Sequence, residues 1–180
     1  RLGAGGGSAT LTVTNAAGAV VRVLEVPSEA GTHRINWDLR WDMDDEADRW
    51  APHTAPRLAR SVAPRGFLVA PGTYTATLDA RDTSVSRTVR VHGDPLVPTL
   101  TIDDYADREV FLLEVRDLMR RLNAGVPGMA PATTRQLLQD LSGVFRAMNG
   151  GGVRPGTIHP PTRTQRDIVV AVRAAVGPGD

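Results

Sequence analysis

Apolar and polar residues alternate through much of the first half of the chain and recur at helical spacing in the second. Ala9-Thr10-Leu11-Thr12-Val13-Thr14 has period two, with Leu11 and Val13 inward. Asn15-Ala16-Ala17-Gly18 supplies a turn, and Val20 to Val26 reads as the return strand of a hairpin. His33 to Arg40 alternates again, placing Ile35, Trp37 and Leu39 on one face and Arg34, Asn36 and Asp38 on the other. Pro71-Gly72 sets a tight turn before Tyr74, Ala76 and Leu78, which alternate with Thr73, Thr75 and Thr77. After a turn at Arg81-Asp82-Thr83, Ser84 to Val91 is a last strand, with Val85, Val89 and Val91 as core candidates. Short strands with frequent turns predict an all-β sandwich over 9–95.

A long insertion, 41–68, interrupts this pattern. It carries Asp42, Asp44, Asp45, Glu46 and Asp48, then Trp50 and the prolines 52, 56 and 64. A loop of this length in a compact domain is expected to be functional or packed on a neighbour.

Gly93-Asp94-Pro95 marks the boundary, and 96–180 reads as a small α-helical tail. One helix, capped by Asp103 or Asp104, runs to about Leu122 on the stripe Leu112, Val115, Met119 and Leu122, with Phe111 and Leu118 beside it. A second opens with Thr133-Thr134-Arg135-Gln136, which fits a capping box, and continues through Leu137, Leu138, Leu141, Val144, Phe145 and Met148. A third repeats the device at Thr162-Arg163-Thr164-Gln165, with Ile168, Val169, Val172 and Val176 as its apolar side. Each is too short to be stable alone, so the three are expected to pack together. The fold class is therefore α+β as two units, an N-terminal sandwich of immunoglobulin or fibronectin type and a three-helix tail.

Composition narrows the function more than the fold. At 180 residues the chain is long enough to bury a core. Net charge is +1, aromatics are 4%, and the basic residues are scattered, which gives no nucleic-acid footprint. No apolar run approaches the roughly 20 residues that span a bilayer. All 21 basic residues are Arg, a pattern read as coding bias. There is no Cys, which removes disulfides, thiol catalysis and Cys-based metal sites. Residues 1–8, Arg-Leu-Gly-Ala-Gly-Gly-Gly-Ser, read as a flexible linker following something longer.

Two sets of residues carry a resemblance. Gly31-Thr32-His33-Arg34-Ile35-Asn36-Trp37-Asp38, a variable loop, and Pro71-Gly72-Thr73-Tyr74 are similar to the immunoglobulin-like domain of the flagellar hook-cap scaffold protein. Asn15 to Leu24 resembles the hairpin of that module, with Asn15 in its usual acidic place. Over the whole chain, the order Trp37-Asp38-Leu39-Arg40, Pro-rich insertion, Pro71-Gly72-Thr73-Tyr74-Thr75, Asp94-Pro95 and helical tail resembles the C-terminal region of secreted bacterial sortilin-like, BNR-repeat β-propeller proteins. Those proteins are often labelled glycosyl hydrolases. Pro161-Thr162-Arg163-Thr164-Gln165 matches the opening of their last helix. The resemblance implies a secreted or periplasmic accessory module that docks on an upstream β-propeller of the same parent chain. It implies no catalytic residue here, because the acids of a glycosidase parent would lie upstream of Arg1.

From Asp42, the sixth position is Ala47 and the twelfth His53, so the Ca²⁺ loop pattern of a Gly and then a Glu fails. Asp38 and Asp42 are acids near aromatics, but glycoside hydrolysis needs two carboxyls about 5–10 Å apart across a cleft. In the resembled family Asp38 would brace the adjoining loop by hydrogen bonds. His33, His53, His92 and His159 have no ligand spacing. Gly150-Gly151-Gly152 lacks the Lys and hydroxyl of a phosphate loop. No catalytic, cofactor-binding or metal residue is assigned, and the fragment itself is expected not to be an enzyme. Trp37 is expected in the core. Trp41 and Trp50 are the candidate contacts, either with the neighbouring domain or, in the alternative reading, with a glycan or protein ligand.

Overall fold

The computed structural model describes residues 9–27, 29, 31–43, 66–80, 83–151 and 154–178. The architecture is α+β: a four-stranded antiparallel sheet followed by three helices. The described residues fall into two compact units. One comprises 9–42 and 68–98; the other joins Met43, Gly66 and Phe67 to the helical region from Thr99 onward.

In the first unit the strands are β1 (Ala9–Thr14), β2 (Val20–Val26), β3 (Gly72–Ala80) and β4 (Thr83–Val91), in the order β2-β1-β3-β4. The hairpin turn forms as its residues require. Asn15 Oδ1 accepts from the amides of Ala17 and Ala19, and Gly18 takes φ 79°, which glycine adopts without strain. Pairing aligns Leu24, Leu11, Leu78 and Val85 across one face, and Val23, Thr12, Thr77 and Ser86 across the other. Thr77 and Ser86 share a hydroxyl hydrogen bond of 2.8 Å on that second face. Val13, Val21, Tyr74 and Val91 are buried. Each such valine contributes about 1.5–3 kcal/mol by leaving water. Val85, expected in the core, is instead 42% exposed, because β4 is an edge strand and its middle is uncovered.

The expected strand from His33 to Arg40 is not part of the sheet. Side chains from Thr32 to Asp38 do alternate, with His33, Ile35 and Trp37 half-buried and Thr32, Arg34, Asn36 and Asp38 exposed. The alternation then breaks at Leu39, whose φ of 58° turns its side chain outward, against expectation. The indole N–H of Trp37 closes this bend by donating to the Arg40 carbonyl at 3.0 Å. One residue later Trp41 is buried, and Arg40 forms a single antiparallel bridge with Leu68. Val69 also donates to the Leu39 carbonyl at 2.9 Å. The two ends of the long insertion are thus tied together. Among the described residues the first unit holds one sheet of four strands rather than two facing sheets.

The second unit is an up-down-up helix bundle of α1 (Ile102–Ala124), α2 (Pro131–Asn149) and α3 (Arg163–Val176). Buried Arg108, Phe111, Val115, Leu118 and Leu122 recur at alternating spacings of three and four, as do Val169, Val172 and Val176. Asp107 pairs with Arg166 and Glu114 with Arg173, seven residues apart on both helices, so α1 and α3 run parallel. Arg108 near the start of α1 donates to Met148 near the end of α2, which makes α2 antiparallel. Phe67 is fully buried here, edge-on to Phe145 with centroids 6.3 Å apart.

The caps differ from two expectations. α1 is capped by Thr101, whose hydroxyl accepts from the Asp104 amide while the Asp104 carboxylate returns to Thr101. Asp104 is therefore the third helical residue, not the cap. α2 begins at Pro131 with Ala130 preceding it and no side-chain cap, so the box expected at Thr133 and Gln136 does not form. Proline at the first helical position is pre-set in φ and lacks an amide to satisfy, and it starts the helix earlier. The third expectation holds: Thr162 and Gln165 form a reciprocal box.

Candidate functional site

The polar residue with the most demanding geometry is Asp42. The chain reaches it from the Leu39 bend through buried Trp41, and it lies beside the edge strand β2. Its amide donates to the Val21 carbonyl at 2.7 Å. One carboxylate oxygen accepts from Arg22 Nη1 at 2.7 Å, and the other from the Val23 amide at 2.8 Å. Both oxygens and the backbone are thus engaged in closing the sheet edge. A carboxylate held this way is a poor general acid or nucleophile and a good fastener, because charge-assisted bonds to a fixed amide resist displacement.

The other candidate acids stand apart from it. Asp38 is exposed, and no side-chain hydrogen bond joins it to a described residue. The bracing expected of it is made instead by the Trp37 indole. Asp44, Asp45, Glu46 and Asp48 lie outside the described residues, as do Trp50 and His53. Trp41 is buried, with 4% of its surface exposed, so its ring offers no open face for a sugar. The ring of Trp37 meets that of Tyr74 edge-on at 5.4 Å.

Tyr74 is the second fixed point. It is buried, and its hydroxyl donates to the Ala70 carbonyl at 2.7 Å across the Pro71-Gly72 turn. The sequence pattern placed its ring inward but gave no partner for the hydroxyl. A buried Tyr hydroxyl needs one, and the upstream carbonyl at the turn supplies it.

The histidines are dispersed. His33 Nε2 lies 2.8 Å from the Glu29 carbonyl, while His92 and His159 are exposed. Among the described residues no group of three or more His, Asp or Glu is placed to hold a metal ion. Gly150 and Gly151 form β5, which pairs with β6 (Arg154–Pro155). Arg108, buried in the helical unit, donates from Nε to the Thr157 carbonyl at 2.9 Å and from Nη2 to the Met148 carbonyl at 3.1 Å. These bonds fix the chain that returns from α2 toward α3. Asp104 carries a carboxyl held below its ordinary range, chiefly by the Thr101 amide and then by the Thr101 hydroxyl. No helix among the described residues is long and apolar enough to cross a membrane.

Comparison with protein-family models, with curated proteins and with solved structures finds no match to this chain.

Proposed function

We propose that this chain is a non-catalytic C-terminal accessory module of a larger exported protein, with an immunoglobulin-like domain followed by a helical tail. Its role is to dock on and stabilise an upstream β-propeller of BNR-repeat type, in a parent of the glycosidase class. The observation that carries the reading is the use made of Asp42. The acid best placed to attract a chemical role has both oxygens committed to the β2 edge. The Tyr74 hydroxyl supports the immunoglobulin-like assignment. A tyrosine that bonds back to the backbone a few residues upstream, near the start of a strand, is the corner device of such domains. The motifs His33 to Asp38 and Pro71 to Tyr74 supply the resemblance to the propeller-associated module.

The experiment is direct. The purified chain is incubated with a panel of aryl-glycosides at pH 5–8. The reading expects release no faster than the buffer blank. Turnover that scales with protein concentration and disappears in Asp42→Asn would refute it.

A further inference from the structure

The two edges of the sheet are finished differently. On β2, Asp42 occupies the Val23 amide with its carboxylate and the Val21 carbonyl with its own amide. β4 has no such cover. Outside its pairing with β3, no backbone hydrogen bond joins its nine residues to the rest of the described chain. Thr83 to Thr88 and Arg90 are all exposed. In an antiparallel edge strand every second residue turns its N–H and C=O outward, so about four residues here present unpaired backbone groups.

We propose that the β4 edge takes up an extended acidic peptide as a fifth strand. The charge on β4 selects this partner. Arg87 and Arg90 are exposed, and neither forms an ion pair with a described residue. Arg87 Nη1 only reaches the neighbouring Ser86 carbonyl, at 2.9 Å. No acid lies within Thr83–Val91. A second copy of β4 is the wrong occupant. Full-length antiparallel self-pairing centres on residue 87 and sets Arg87 opposite its own counterpart, and like charges directly opposite repel. Carboxylates in those positions attract instead. Arg87 and Arg90 are three residues apart and therefore on opposite faces. The matching peptide carries acids at positions i and i+3, one toward each face. Around Arg87 it meets Val85 and Val89, and around Arg90 it meets Thr88, so β-branched residues suit the remaining positions. Main-chain bonds supply affinity in this mode, and the side-chain pairs supply selectivity.

The test uses the whole chain and an octapeptide with fluorescein on its N-terminal amine, fluorescein-Thr-Glu-Val-Thr-Glu-Val-Thr-Val-amide. A second peptide has Lys for both Glu, and a third has the acidic sequence with N-methylated alternate amides. Anisotropy should rise saturably with the acidic peptide, weaken with added salt, and stay flat with the lysine and N-methyl peptides. In the double variant Arg87→Glu/Arg90→Glu, acidic-peptide binding should fall roughly tenfold or more, since each cross-strand pair is worth up to about fivefold, and the lysine peptide should now bind. Circular dichroism melts confirm that the variant is folded; both side chains are exposed. The proposal is overturned by no saturable binding of the acidic peptide, by equal binding of all three, or by binding that survives the charge reversal. Light scattering that shows a dimer closed to the peptide overturns it as well.

Discussion

Arg22 and Asp42, twenty residues apart, meet at 2.7 Å and close the β2 edge of the sheet. The same carboxylate takes the Val23 amide, so Asp42 fastens both the side chain and the backbone of the strand. The two partners should therefore not be equivalent. Asp42→Ala is expected to cost about 1–2 kcal/mol, and Arg22→Ala less than about 1 kcal/mol, because the ion pair is partly exposed while the amide bond is fixed. Urea unfolding checks the order, and hydrogen exchange at Val23 should accelerate only in the Asp42 variant.

Tyr74→Phe removes one hydroxyl and leaves the ring edge-on to Trp37. The bond to the Ala70 carbonyl is then lost, at a cost of about 1 kcal/mol. A thermal melt that shows no change would mean that the hydroxyl bond at the turn contributes nothing.

Two glycines should respond with opposite signs to Ala. Gly143 lies inside α2, is exposed, and a Cβ there meets nothing within 4 Å. Gly143→Ala should stabilise by about 0.5–1 kcal/mol through helix propensity and a less flexible unfolded chain. At Gly156 a Cβ would stand 2.4 Å from the Asn149 carbonyl carbon and 2.5 Å from the Met148 oxygen. Those are backbone atoms at the end of α2 and cannot swing away, so Gly156→Ala should destabilise by more than about 1 kcal/mol. Chemical denaturation of the two single variants settles both signs.

Acid should loosen the start of α1 by a known route. The folded Asp104 carboxyl is held below its ordinary 3.8 by the Thr101 amide first and the Thr101 hydroxyl second. A depressed folded value means that its stabilising effect is fully present above the unfolded value and is lost as pH falls through the folded one. Carbon-detected NMR titration should place Asp104 below 3.8, and Thr101→Ala, which removes the hydroxyl and keeps the amide, should move it part of the way up toward that value. An Asp104 titration indifferent to Thr101→Ala would contradict the box.

What the sequence disclosed, and what it hid, follows from the range of the forces involved. β1 and β2 were legible to the residue because alternation and the Asn15–Gly18 turn are local signals. Thr162 and Gln165 were equally local, three residues apart. The identical spacing at Thr133 and Gln136 misled, because Pro131 just upstream sets the helix start more firmly than a threonine two residues later. At His33–Arg40 the period was real through Asp38, and the side chains do alternate. It failed at Leu39, where a positive φ and the Trp37–Arg40 bond redirect the chain, and no pattern of hydrophobicity encodes a dihedral angle. The placement of β1 between β2 and β3 was hidden too, since strands 58 residues apart meet only through the folded core. The Asp42 fastening and the buried Arg108 belong to the same class. Both are long-range pairings of residue types that, in isolation, read as solvated charge.

The proposed role is that this chain steadies an upstream neighbour. The most direct measurement is differential scanning calorimetry of the parent protein with and without residues 9–180, following the upstream domain. The account predicts that removing the module lowers that domain's melting temperature by at least about 4 °C, the shift of roughly 1–2 kcal/mol for a domain of ordinary size. Upstream melting that is unchanged when the module is gone would contradict it.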